Sequence, residues 1–208
     1  MKALAVISRK GGAGKTTITT HLAVAAERHG IATAIFDLDP QASAALWSDH
    51  RGEGFPAVVP AQPGRLASFL RQAAGQAGFV ILDTPPEADT TASAAADYAD
   101  AILIPCRPSA LDLDAISASV RIARNSGKPC FVVVNAAPVQ GTEVEEMRAA
   151  LTAAGVEVAP CVLHQRKAFS ARMHEGRTAC EIEPKGRAAE EMQSLFLWIC
   201  EKVGMLPI

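Results

Sequence analysis

The chain has 208 residues, with 22 acidic and 20 basic side chains and a formal net charge of −2. At 49% apolar and 20% charged residues it reads as one soluble globular domain with a sizeable core, not as a disordered or wholly basic chain. No apolar run approaches the roughly 20 residues of a membrane span, and Met1–Ser8 is too short for a signal peptide. Cys106, Cys130, Cys161, Cys180 and Cys200 form no CxxC and are odd in number. That argues against zinc and disulfide frameworks and for reduced thiols in a cytosol.

In chain order, a strand over Ala3–Ser8 leads into a glycine loop and a helix over Lys15–His29. A strand at Thr33–Asp37 and helices at Ala42–Asp49 and Arg65–Gln76 follow. Strand and helix then alternate: Phe79–Asp83, Thr90–Tyr98, Ala101–Pro105, Asp112–Ser126, Cys130–Asn135, Thr142–Ala154 and Val156–Val162. Several strands are apolar at nearly every position, as parallel strands covered on both faces must be. Gly30, Gly127 and Gly155 stand where helices stop. The expectation is a single α/β domain over 1–208: a P-loop NTPase with a mostly parallel twisted sheet and helices on both faces. His164–Arg187 breaks the pattern, with six basic residues against three acids. Pro184 then opens a last helix to about Val203.

Ser8-Arg9-Lys10-Gly11-Gly12-Ala13-Gly14-Lys15-Thr16-Thr17 joins the first strand to the first helix. Triphosphate binding needs such a junction: glycines let backbone N–H groups converge on an anion, and the helix N-terminus adds partial positive charge. Lys15 reaches the β- and γ-phosphates and the Thr16 hydroxyl suits Mg²⁺. The first glycine of the standard motif is replaced by Arg9, and a second lysine, Lys10, precedes Gly11. Asp37, Asp39 and Asp83 all fall at strand ends. There they read either as helix caps or as carboxylates turned toward the phosphates.

Lys10–Thr17 resembles the deviant Walker A motif of the ParA/MinD family. Phe36–Ser43 resembles the family's second motif and Val80–Pro86 its Walker B. The likeness continues through Ile104–Pro108, Asn135, Gln165-Arg166 and Glu183–Glu190, and so spans essentially the whole chain. Asp-x-Asp-Pro-Gln and the basic closing segment point to the short ParA type, with no N-terminal helix-turn-helix domain. This resemblance implies an ATPase with ATP and Mg²⁺ as cofactors. It makes Thr16 a direct metal ligand, with Asp83 and Asp37 holding metal waters, and Asp39 the residue that positions or activates the attacking water. Lys10 becomes the signature lysine that reaches the partner subunit's phosphates across an ATP-dependent homodimer.

Gly11, Gly12, Ala13, Gly14, Lys15, Thr16 and Thr17 form the nucleotide cradle. Asn135 is a candidate for adenine and Pro108 for shaping the base pocket; a turn-forming Asn and a strand-ending Pro are the other readings. Arg166, Lys167, Arg172, Lys185 and Arg187 are the candidates for nonspecific double-stranded DNA. A ParB-like or other adaptor would stimulate slow hydrolysis, and the place would be the cytoplasm, on the nucleoid. Two other classes stand beside this one. One is a MinD-like ATPase, which needs an amphipathic C-terminal helix for the membrane. The other is a metabolic enzyme on the same scaffold, such as a dethiobiotin-synthetase-like ligase or an iron–sulfur reductase with paired cysteines.

Overall fold

The computed structural model describes residues 1–52 and 54–205, with residues 110–115 described by backbone alone. In chain order the elements are β1 (Lys2–Val6), α1 (Lys15–Arg28), β2 (Thr33–Asp37), α2 (Ser43–Arg51), β3 (Ala57–Pro60), α3 (Leu66–Ala73), β4 (Phe79–Asp83), α4 (Asp89–Tyr98) and β5 (Ala101–Cys106). There follow α5 (Ala110–Ser126), β6 (Cys130–Ala137), α6 (Glu143–Ala153), β7 (Glu157–His164), α7 (Ala179–Ile182) and α8 (Arg187–Val203). The strands form one sheet in the order β3-β2-β4-β1-β5-β6-β7, and every pairing is parallel. Parallel neighbours require crossovers, and the helices supply them.

Side chains alternate across the sheet with period two. Leu4, Val6, Ile35, Ile81, Leu103 and Val133 face α1 and α8, where they meet Ile18, Leu22, Leu195 and Phe196. Ala5, Phe36, Val80, Leu82, Ile102 and Val132 face the other way, onto Leu66, Ala95, Val120, Ala123 and Leu151 of α3 to α6. Helices cover both layers, which explains why β2, β4 and β5 are buried at every position. The apolar stripe of α8 is spent in this core: Leu195, Phe196, Ile199 and Cys200 are each at most 1% exposed. The amphipathic face that a membrane-binding terminal helix needs is therefore packed against the sheet.

The structure departs from the sequence reading at the margins. An unforeseen edge strand, β3, pairs with β2 from Ala34↔Ala57 to Asp37↔Pro60. Pro60 at its end suits an edge, where a missing N–H does no harm. The last helix begins at Arg187, three residues beyond Pro184, with Gly186 as its N-cap. β7 runs on to His164 and is bulged against β6.

Candidate functional site

Asp37 and Asp83 end β2 and β4 and are direct partners across the strand register. Both therefore stand at the carboxyl edge of the sheet, where β1 also releases the phosphate loop. The loop turns on Gly12 (φ 73°) and Gly14 (φ 94°), left-handed conformations that glycine adopts without strain. At Gly14 there is a second requirement, because a Cβ would run into Nδ2 of Asn135. Gly14 in turn is the N-cap of α1, so the first helical N–H groups open into the loop.

Lys15 is 7% exposed and curls over the loop, donating to the Ser8 carbonyl at 3.0 Å and the Lys10 carbonyl at 3.5 Å. Burial lowers its pKa, against which Asp83 and Asp39 hold the charge. Thr16 Oγ1 donates to Asp83 Oδ2 at 2.7 Å, and Thr19 Oγ1 to Asp83 Oδ1 at 3.4 Å. Complete burial raises the Asp83 pKa to about 7; the Thr16 bond and the Lys15 charge oppose the shift. Thr84 fixes this strand end by donating to the Val6 carbonyl at 2.8 Å.

Asp37, one of the expected site carboxylates, holds the first turn of α2 from the end of β2. Its Oδ2 accepts from the N–H groups of Ala44 (2.9 Å) and Ala45 (3.0 Å) in the first turn of α2, and its Oδ1 from Asp39 N–H at 3.1 Å. Burial raises its pKa and these three bonds restrain the rise. Asp39 is half-buried and held through Oδ1 by the Gln41 N–H at 2.9 Å. It faces Gly11, Gly12, Lys15 and Thr16 across a cleft of about 270 Å³, which Ser43 and Pro86 close.

A second cleft, of about 290 Å³, meets the first at Gly12, Gly14 and Thr17. Arg107, Asn135, Ala136, Gln165, Phe169 and Met192 are among its walls. Asn135 was expected to end its strand but stands two residues before the end of β6; its amide donates to the Ala13 carbonyl at 2.7 Å and so braces the loop. Arg107, its guanidinium 3.9 Å from the Cβ position of Gly12, lines this cleft where Pro108 was expected. Lys10 is half-buried and shares a small hollow with Arg107 and Ile116.

His21 is a further residue of the site that pattern reading passes over. It is fully buried, with Nδ1–H donating to the Thr17 carbonyl at 2.7 Å and Nε2 accepting from Ala179 N–H at 3.0 Å. Burial pushes its pKa down to about 4, and that pair of bonds fits the neutral ring. Its ring also meets Phe169 edge-on at 5.3 Å. The base of the phosphate loop is thereby tied to the segment that carries the basic residues.

Within that segment Lys167, Arg172, Lys185 and Arg187 are exposed. Arg166 is not available in the same way: its Nε and Nη2 donate to Glu191 Oε1 at 2.9 and 2.7 Å, and His164 shares that carboxylate. As for a cysteine-held cluster, burial pushes the Cys130 thiol up to about 12, away from the thiolate that metal ligation needs.

Residues 4–179 match the family described as the CobQ/CobB/MinD/ParA nucleotide-binding domain. The maintenance of carboxysome distribution protein A of Gloeobacter kilaueensis is 31% identical over 209 residues, covering 97% of this chain and 94% of that protein. Protein ParA of Rhizobium radiobacter is 28% identical, with 98% of each chain covered. Among solved structures, an ATP complex of a McdA variant from Cyanothece superposes with a TM-score of 0.78 at 17% identity, over 100% of this chain and 98% of that one. MinD from Pyrococcus horikoshii, complexed with Mg-ADP, gives 0.77 at 18% identity over 98% and 97%. The loop, the strand-end carboxylates and this likeness along nearly the whole length converge. The chain belongs to the CobQ/CobB/MinD/ParA nucleotide-binding domain family and is a ParA/MinD-type ATPase.

Proposed function

We propose that this chain is a ParA-like positioning ATPase. It binds ATP with Mg²⁺, pairs into a sandwich dimer across its phosphate face, holds duplex DNA without sequence preference in that state, and distributes a cargo. The observation that carries this reading is the single cleft in which the Gly11–Thr17 cradle, Lys15 and Asp39 converge.

Thr16 Oγ1 and the Asp83 carboxylate are hard oxygen donors, already in contact, and fit Mg²⁺, a cation that takes few protein ligands and keeps several waters. Bound there, Mg²⁺ neutralises charge on the phosphates. Lys15 and the loop N–H groups hold the phosphate chain, and Asn135 keeps the loop in shape. Asp39, anchored through Oδ1, has Oδ2 left to orient an attacking water. Asp37 acts through α2, whose first turn it holds beside Asp39. Lys10 serves the partner subunit's nucleotide, so hydrolysis weakens the dimer. A ParB-like or other adaptor times that step.

DNA attachment rests chiefly on Lys185 and Arg187, where the start of α8 adds backbone N–H groups to two exposed cations. Lys167 and Arg172 extend the patch, while Arg166 supports it through Glu191. Few aromatics lie among these bases, which favours duplex phosphate over single-strand stacking. The relatives that bear the names ParA and carboxysome distribution protein favour a positioning role on the nucleoid. The cargo is a plasmid, a chromosome region or a protein body.

Duplex binding measured with ATP, with ADP and over a salt series tests this. ATP-only affinity that falls steeply with salt, and falls for every sequence in Arg187→Glu, is the expected result. Equal binding with ADP, or capture by liposomes without DNA binding, overturns it.

A further inference from the structure

A cleft of about 520 Å³, larger than either nucleotide-side cleft, opens between α5 and α6. Its floor is apolar and buried: Ile116 and Val120 from α5, Leu151 from α6, and Val156. Its rim is cationic, with Arg121 and Arg124 exposed on α5 and no carboxylate among the described lining residues. Arg124 Nη2 donates to the Ala154 carbonyl at 2.9 Å, fixing one wall to the other.

We infer that this groove is a docking surface for an acidic amphipathic helix of a partner protein. Charge decides the occupant. The chain as a whole is acidic by two charges, yet here two guanidinium groups flank an apolar trough with no acid among its described lining residues. Guanidinium pairs best with carboxylate, through parallel N–H bonds. Arg121 and Arg124 are three residues apart on one helix, so their charges lie about one turn apart. Two carboxylates on one stripe of an incoming helix match that spacing, and apolar residues on the same stripe fill the floor.

The position of the groove gives the contact a consequence. α5 has 17 residues, about 25 Å of helix. It leaves the nucleotide face just after Arg107, and the groove runs from Ile116 toward its C-terminal end. A docked partner therefore reaches the phosphate side only at Ile116. On the inward side of the same helix, Ser119 Oγ accepts from Arg9 N–H at 3.4 Å, and Ile116 borders the hollow beside Lys10. One rigid element thus touches both the groove and the loop. The binding itself stands apart from the ATPase reading and does not depend on it.

The test is selection of a displayed library of random peptides on the full chain, followed by anisotropy with the enriched peptides made synthetically. Enriched peptides should combine at least two Asp or Glu with large apolar residues at helical spacing. Their affinity should fall at least tenfold in Arg121→Glu and in Ala150→Trp, which fills the groove. Both positions are exposed, and unchanged thermal unfolding checks the fold. A peptide with its acids changed to lysine should prefer Arg121→Glu to the natural chain. Enrichment of basic or purely polar peptides overturns the inference, as does equal binding to both variants. Self-association of the natural chain that either variant abolishes would assign the groove to a second copy instead, and also overturns it.

Discussion

Thr16 donates its hydroxyl to Asp83 at 2.7 Å, so the first turn of α1 and the end of β4 meet through a bond between two groups suited to one cation. Asp83 is completely buried and its pKa is raised to about 7 from 3.8. A folded-state pKa above the unfolded value means that the neutral carboxyl favours the fold. That contribution is fully present below pH 3.8 and is lost as pH rises through 7. Asp83→Asn should therefore raise the melting temperature of the nucleotide-free chain by a few degrees at pH 8 and by clearly less at pH 5, because the loss begins at the unfolded pKa and is complete only above the folded one. The same variant should lose Mg²⁺-dependent nucleotide affinity. Scanning calorimetry at the two pH values, with chelator, checks the first half; equal shifts at both would refute the assignment.

Lys15→Ala removes charge-assisted bonds worth about 1.5–3 kcal/mol each, so ATP affinity should fall at least tenfold. Titration calorimetry on the folded variant reads this directly. Unchanged affinity would take the loop out of the site.

Lys10→Ala and Asp39→Ala should separate assembly from chemistry. The first binds ATP but does not form the stable dimer. The second dimerises and turns over about 100-fold more slowly, the usual scale for losing a group that handles the attacking water. Light scattering with ATP and Mg²⁺, alongside phosphate release, distinguishes them. Normal turnover in Asp39→Ala would remove that residue from the chemistry.

His21 behaves in the opposite sense to Asp83. Its pKa is depressed to about 4 from 6.5, so the stability it contributes is present above pH 6.5 and is lost as pH falls toward 4. His21→Ala should cost roughly 2–4 kcal/mol, since it leaves the Thr17 carbonyl and the Ala179 N–H unpaired around a cavity. His21→Gln can keep one or both bonds, and should flatten the decline in stability between pH 6.5 and 4. Denaturant titrations across that range measure both effects.

Most strands were legible because a doubly covered parallel strand leaves an unmistakable apolar run, as in Val80-Ile81-Leu82 ahead of Asp83. β3 was not. In Phe55-Pro56-Ala57-Val58-Val59-Pro60 a four-residue strand follows one proline and ends on another, and only its pairing with β2 distinguishes it from a loop. The phosphate cradle was readable from local order, since glycine spacing and a following helix are contiguous in sequence. What stayed hidden depends on partners far along the chain. Asn135 is turned to Ala13 by a contact 122 residues away, and His21 to Ala179 by one of 158. Arg166 looked like a free cation until Glu191, on the inner part of α8, came beside it. Asp37 admitted two readings, cap and site carboxylate, and the α2 N–H groups show that it caps.

The sheet order places β1 between β4 and β5. Lys2–Val6 pair with Phe79–Asp83, and Leu4–Val6 also with Ala101–Leu103. The first strand must therefore wait for Phe79–Asp83 before one of its edges is filled, and for Ala101–Leu103 before the other is. Nonlocal pairing of this kind slows folding and leaves apolar edges open in the meantime. During synthesis the phosphate loop is thus made well before it can be shaped, so a nascent chain that ends before Phe79–Asp83 has the motif without the grip.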